Sequence, residues 1–384
     1  MPGLGCRCNR LHSRNDQSGN QLRGQCPRHP KPLAAVLREV TIRDVARAAD
    51  VSVATVSRAL NGIENVASPT REHVLKIVHE LDYVPHSGAR SLSSKRTDTI
   101  GVLLPDLHGE FFSELIRGID LAARARGLHL LLSSSHGDPA EAAAALRAMR
   151  SRVDSIIMMS LNAGNDAVVP AAPAGLPLVL LGGNRRGPGR PSFVIDNYAG
   201  AFAITEHLAG EGKRSVAFVA GPADNIEASE RLRGYRAALK CTAGSFPEWI
   251  VQGDFGEESG RKAARTIGAA GPPDAIFCAN DMMAIGCLEG LREAGIAVPD
   301  DVALAGFDDI PITRYVNPPL TTAAVPIAEM GRQALECCAD IIAGGKPELH
   351  HIFQPELVIR ASSAARSWDA TANLRGEYHD QITL

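Results

Sequence analysis

From Thr99 onward the chain alternates short, wholly apolar runs with longer amphipathic segments, and that alternation leaves few folds open. Thr99-Ile100-Gly101-Val102-Leu103-Leu104 is a continuous apolar run of the kind buried on both faces of a parallel sheet. The spacing after it predicts a helix from about Phe111 to Arg126, a strand over Leu128–Leu132, a helix over 139–150 and strands at Ser155–Met159 and Leu178–Leu181. A second series starts with a helix at 198–210. It continues through Val216–Val219, a helix at about 225–240, Ile250-Val251, a helix at 256–268, Ala275–Cys278, a helix at 281–294 and Val302–Ala305. Strands alternating with helices build parallel sheets covered on both sides, here as two stacked lobes. The chain is expected to cross between lobes near Asp196-Asn197 and near Leu320-Thr321-Thr322, with a helix from Ile327 to Ala343 and a strand at Phe353–Ile359 returning to them. An apolar fraction of 45% with only 4% aromatics suits such α/β domains better than an all-β sandwich. A length of 384 residues has room for two or three domains.

Ligands of open parallel sheets bind beyond the carboxyl ends of the strands, and two facing lobes line one cleft with those ends. Phe111 and Phe112 follow the first strand, Asp196 lies at a crossover, and Arg231 opens the helix after Gly221-Pro222. Phe255 follows Gly253-Asp254, Asn280-Asp281 end one strand, and Asp308 ends the next. Aromatic faces cover the apolar sides of a polyhydroxylated ring, while carboxylates, an amide and an arginine fix its hydroxyls. Asp196, Asp308 and either phenylalanine could equally be structural. An unpaired arginine is a poor fit to a burial-prone helix start, which favours a role for Arg231.

Ahead of the lobes lie three short helices. Thr41 caps the first, with Asp44 three residues on and Ile42, Val45 and Ala46 on one face, and it stops near Ala49-Asp50. The second runs from Ser52 to Leu60, capped by Ser52 and ended by Asn61-Gly62. The third runs from about Pro69 to Leu81, with Val74, Leu75, Val78 and Leu81 as its buried face. Ala46, Val51, Val56 and Leu60 close the core between the first two helices and leave Val53, Ala54, Thr55, Ser57 and Arg58 outside. A helix-turn-helix places its groove-entering groups there. Arg58 can take guanine with two hydrogen bonds, Val53 and Ala54 can meet thymine methyls, and Ser52, Thr55 and Ser57 can donate to phosphates. Residues 41–96 hold eight basic against six acidic groups, a local excess opposite in sign to the net charge of −3 of the whole chain.

Here the chain becomes recognisable. Val40-Thr41-Ile42-Arg43-Asp44-Val45-Ala46, Val51-Ser52-Val53-Ala54-Thr55-Val56-Ser57-Arg58, Leu81-Asp82-Tyr83-Val84-Pro85 and Gly88-Ala89-Arg90-Ser91-Leu92 resemble the head of LacI/GalR-family regulators, and the likeness extends through almost all of residues 98–361. Asp50 departs from the Gly or Asn usual at that turn, but Asp tolerates a left-handed turn better than most residues. The resemblance implies a helix-turn-helix head over 38–84, a hinge over 85–97 and an effector-binding, dimerising body over 98–361 made of two doubly wound α/β lobes of periplasmic-binding-protein type. It implies that the hinge folds on operator DNA and that Leu92, with Ala89 beside it, wedges into the minor groove. It places Arg231, Asn280 and Asp308 at effector-contact positions and Phe112 and Phe255 at aromatic ones. Trp249–Phe255 is similar to the purine-responsive branch, yet Asn225 and Glu227 stand where that branch has an arginine and a threonine, and Gly182 stands where some sugar-sensing members have an aspartate. Sugar and nucleoside or purine effectors therefore both stay open.

The function this implies is a sequence-specific regulator, with repression favoured by the family, that binds a pseudo-palindromic operator as a homodimer under allosteric control. The rival classes are a transport-type sugar-binding protein, which should carry a secretion signal and no DNA head, and an enzyme. No P-loop, nucleophile elbow or metal-ligating motif appears, and neither metal nor cofactor is expected. The spacing of Cys6, Cys8, Cys26 and His29 matches no zinc pattern, and Cys241, Cys278, Cys287, Cys337 and Cys338 sit in apolar patterns as small hydrophobes. Without a run of about 18 apolar residues or a secretory leader, the cytoplasm is the expected compartment. Residues 1–37 read as a disordered extension or an upstream mis-assigned start, the abrupt onset at Val40-Thr41 favouring the second. Residues 362–384 read as a flexible tail without the leucine heptads of a tetramerising coiled coil.

Overall fold

The computed structural model describes residues 40–60, 65–83, 96–159, 168, 172, 175–183, 190–210, 213, 215–241 and 247–364. The chain divides into two compact units at Pro85/His86.

In the first unit, α1 (Ile42–Ala48), α2 (Val53–Leu60) and α3 (Ser68–Glu80) surround a core of Val45, Val56, Ala59, Val74 and Tyr83. The Asp44 carboxylate accepts from the Thr41 amide at 3.0 Å and the Thr41 hydroxyl at 2.6 Å, closing the start of α1. Asp50 has φ 51, so the left-handed turn between α1 and α2 survives without glycine. Asp50→Gly is expected to stabilise this unit by about 0.5–1 kcal/mol by removing that cost, read as a rise in its melting temperature. The expected buried face of α3 needs one correction. Leu75 is 45% exposed, and Ile77 takes its place in the core. Val74, Ile77, Val78 and Leu81 form an unbroken i, i+3, i+4, i+7 stripe, from which Leu75 is rotated by one residue.

The second unit holds two all-parallel sheets. The first has strand order β11-β5-β4-β3-β1-β2 and the second β7-β6-β8-β9. In chain order the first lobe is built from β1 (Thr99–Leu104), α4 (Glu110–Ala125), β2 (His129–Ser134), α5 (Pro139–Met149), β3 (Ser155–Met159), β4 (Leu178–Leu181) and β5 (Ser192–Ile195). The second lobe follows with α6 (Asn197–Gly210), β6 (Val216–Ala220), α7 (Ile226–Cys241), β7 (Trp249–Gln252), α8 (Glu257–Ala269), β8 (Ala275–Cys278), α9 (Asp281–Glu293) and β9 (Ala303–Ala305). The chain then runs through a 3-10 turn (Pro311–Arg314), β10 (Thr322–Ala324), α10 (Ile327–Ile342), β11 (His350–Phe353) and β12 (Glu356–Val358). β1, β3, β4 and β8 coincide with the expected apolar runs. β5 was not expected, because four residues with a serine at one end carry little periodic signal.

The single strand expected at Phe353–Ile359 is two. β11 pairs with β5 in the first lobe, and β12 pairs antiparallel with β10. This gives a third crossing between the lobes beside the two expected ones. The tail also starts later than expected, since Ser362 and Ser363 are 0% and 3% exposed. Ser362 Oγ donates to the Leu304 carbonyl at 2.6 Å, and Ser363 Oγ lies 2.7 Å from the Thr321 hydroxyl, so both seal the second lobe. Cys278, Cys287, Cys337 and Cys338 are buried as expected of small hydrophobes, whereas Cys241, the last residue of α7, is exposed. Among the described residues no helix is long and apolar enough to cross a membrane.

Candidate nucleic-acid interface and effector site

In the first unit, Val56 and Ala59 turn α2 inward, which leaves Val53 42% exposed and Ala54 and Arg58 exposed on the opposite face. Ser52 Oγ accepts the Thr55 amide at 3.1 Å and so caps α2. The Ser52 and Thr55 hydroxyls also lie 2.9 Å apart, so one of these two donors is spent within the protein. The Thr41 hydroxyl is likewise taken up by Asp44, and Ser57 is half-buried. Ala89 and Leu92 lie outside the described residues.

In the second unit a buried polar cluster forms where the lobes are joined. Arg231, in the second turn of α7 and 4% exposed, is its centre. Its Nε donates to Asn197 Oδ1 at 2.7 Å, Nη1 to the Ala279 carbonyl at 2.5 Å and Nη2 to Asp308 Oδ1 at 3.1 Å. The guanidinium carbon sits 3.8 Å from the centre of the Phe307 ring and 5.9 Å from that of Phe255, so its faces meet aromatic π-clouds while its edge makes the hydrogen bonds. Asn197 Nδ2 donates to the Ile195 carbonyl at 3.2 Å and to the Glu227 carboxylate. Asn280 caps α9 by accepting the Met283 amide at 3.0 Å and donates to the Phe255 carbonyl at 3.0 Å, tying two strand-end loops together.

The backbone here is unusual for side-chain-bearing residues. Phe255, Asp308 and Asp309 have φ of 72, 117 and 55, a region costing about 1–3 kcal/mol per residue unless the surroundings enforce it. At Asp309 the enforcement is visible, since Arg360 Nη2 donates to Asp309 Oδ1 at 2.6 Å and Nη1 to the Leu320 carbonyl at 2.8 Å.

Burial dominates the electrostatics. It pushes Asp308 up to about 6 even though Arg231 pulls it down. Burial likewise raises Glu227 against Arg231 and the hydrogen bonds from Asn197 and the Gly183 backbone. Asp281, wholly buried, is raised by burial and then by the charge of Asp308, against hydrogen bonds from Thr322 and the Ile310 amide.

Of the seven effector candidates, Arg231, Asp308, Asn280 and Phe255 come together. Phe111 and Phe112 pack edge-on with centroids 5.6 Å apart at the start of α4 in the first lobe. The Asp196 carboxylate accepts the Ala199 amide at 3.1 Å and the Gln354 amide at 3.3 Å, as a cap on α6 would. Three members of the cluster are not among the residues the sequence singles out. Glu227 stands four residues before Arg231 on α7, a helical neighbour pair that spacing alone could have flagged. Asn197 lay in the flagged crossover, beside the aspartate that was chosen. Phe307 carried no signal, since an aromatic after a buried strand reads as core. A separate groove of about 670 Å³, lined in part by Arg117, Arg314, Tyr315 and Glu329, reaches Asp309 and the Ala324 and Val325 backbone that pairs with Asp308.

Residues 41–86 match the model of the lacI family of bacterial regulatory proteins, and residues 205–363 that of a periplasmic binding protein-like domain. The chain is 33% identical over 330 residues to the HTH-type transcriptional repressor PurR of Aliivibrio fischeri (strain MJ11), covering 84% of this chain and 98% of that one. It is 34% identical over 329 residues to the HTH-type transcriptional repressor CytR of Escherichia coli (strain K12), covering 85% and 96%. The solved structure of a Lac repressor dimer bound to operator and the anti-inducer ONPF superimposes with a TM-score of 0.77 at 27% identity, covering 85% of this chain and all of that one.

Proposed function

The chain belongs to the LacI family of bacterial regulatory proteins, DNA-binding repressors under small-molecule control, and from that premise we propose how its residues divide the two tasks. The head over 38–84 reads DNA. Val53, Ala54 and Arg58 enter the major groove and Thr41, Ser52, Thr55 and Ser57 line the phosphates, where the Thr41 hydroxyl must leave Asp44 to donate. Across the hinge, assigned to 85–97, Ala89 and Leu92 meet the minor groove. The body, from 98 to Ser363, binds the effector with Arg231, Asp308, Asn280 and Phe255 at its centre and Phe111, Phe112 and Asp196 at its margin. Two copies bind a pseudo-palindromic operator, as the Lac repressor dimer does its own. The effector prefers one arrangement of the lobes, and its differential affinity shifts the DNA-binding population. The protein acts in the cytoplasm as a binder and not as an enzyme.

One observation carries this reading. A single arginine holds Asn197 from the first crossing, the Ala279 carbonyl at the end of β8 and Asp308 from the approach to the second crossing, so a ligand that moves it moves the joints between lobes.

Selection of sites from a random DNA pool by the purified protein tests the head. Enrichment of a palindrome with a flexible central step is expected, and no enrichment with or without candidate effectors would remove the DNA-binding role. On the selected site, Arg58→Ala is expected to lose about 1–3 kcal/mol and relax the preference at one base pair per half-site. Leu92→Ala should weaken operator binding far more than non-specific binding. Equal losses in the same gel-shift titration would discard the wedge.

A further inference from the structure

We propose that Glu227 selects the effector, taking an amino group of an amino-bearing sugar or nucleoside at the seam between the lobes and rejecting ligands that bring an anionic group there. The inference rests on the effector occupying the Arg231–Asp308 cluster.

Glu227 lies one helical turn before Arg231 on α7 and is 7% exposed. Its carboxylate accepts a hydrogen bond from Asn197 Nδ2 in the second lobe, and the Gly183 backbone in the loop after β4 of the first favours its charged form. Gly182 and Gly183 have φ of 68 and 80, a left-handed pair that residues with a β-carbon rarely adopt. That turn brings a first-lobe amide to a second-lobe carboxylate, so Glu227 marks the place where the lobes meet.

The donors and acceptors around it are unevenly used. Asn197 is spent at both ends, its oxygen on Arg231 and its nitrogen on Ile195 and Glu227. Arg231 has committed Nε and one hydrogen of each terminal nitrogen. A ligand hydroxyl can take one of the two N–H groups that remain on the terminal nitrogens. A carboxylate has about four lone-pair sites, and Glu227 has used at most two, so a ligand N–H adds a bond without breaking one. Charge points the same way. Glu227 and Asp308 are two buried carboxyl groups beside one buried guanidinium, an excess of one acidic group that an ammonium or amino donor relieves and a phosphate worsens.

The test uses the full-length protein and two scaffolds in matched forms: glucosamine, glucose and glucose 6-phosphate, and adenosine, inosine and AMP. Calorimetric titration measures binding, and operator affinity is followed in parallel. An amino-bearing probe is expected to bind at least roughly tenfold tighter than its hydroxyl or keto counterpart, the size of one hydrogen bond to a charged group, with the anionic form weakest. Glu227→Gln should erase that gap, because it removes the charge and, with its oxygen kept on Asn197 Nδ2, presents an N–H where the ligand donor would sit. The ranking on the native protein stands even if this variant fails to fold. Equal or tighter binding of the neutral or anionic counterpart overturns the proposal, and so does silence of all six probes. A probe that binds in the expected order without changing operator affinity would count against effector control while leaving the selection by Glu227 in place.

Discussion

Arg231→Ala is expected to destabilise the second unit by about 3–5 kcal/mol and to abolish its response to any effector. Removing the guanidinium leaves the Asp308 carboxylate, 4% exposed, without its countercharge, and strands the Asn197 oxygen and the Ala279 carbonyl without their donor. The consequence has a pH signature. Burial holds Asp308 at about 6 against the pull of Arg231. A carboxyl raised above its unfolded value of about 3.9 binds its proton more tightly in the folded state. Its contribution to stability is therefore whole below about pH 4 and declines as pH rises through 6. Without Arg231 the pull downward is gone, so the decline should extend to higher pH in the variant. Asp308→Asn should remove that share of the slope. Urea unfolding midpoints from pH 4 to 8 for the three proteins check this. An Arg231→Ala profile parallel to the native one would mean that the guanidinium does not govern Asp308.

The second large effect is steric. α8 and α9 cross so closely that a β-carbon at Gly286 would overlap the Glu257 carbonyl oxygen, and one at Gly260 the Met283 carbonyl oxygen. Carbonyls in a helix cannot rotate aside, so Gly286→Ala must part the helices and should cost about 3 kcal/mol or more, the upper end of overpacking. The damage should reach the site, because α8 begins beside Phe255, whose carbonyl holds Asn280 at the start of α9. Gly268→Ala on α8 is the control. Its β-carbon would meet only the flexible tip of Ile296 at 3.2 Å, and the gain in helix propensity over glycine is up to about 1 kcal/mol. Thermal unfolding of the two variants should move in opposite directions or differ by many degrees. Equal midpoints would show that the crossing can open at little cost.

The fold is legible in the sequence where one physical signal is local. β1 and β8 are uninterrupted apolar runs, and such runs are stable only between two layers of helix. α2 shows which residues face out, because Val56 and Ala59 must face in. Leu75 reads as core beside Val74, but the stripe Val74, Ile77, Val78 and Leu81 is the one that packs with Val45 and Tyr83 and leaves Leu75 outside.

By itself, then, the sequence determined the layers of both lobes and the three-helix head with its outward face. These follow from periodicity and caps, which act within a few residues. The third crossing at β11 and β12, the burial of Ser362 and Ser363 and the assembly of Asn197, Glu227 and Phe307 around Arg231 were decided by tertiary structure. Each joins segments tens of residues apart, and no local preference distinguishes an asparagine that caps a helix from one that bridges a glutamate and an arginine.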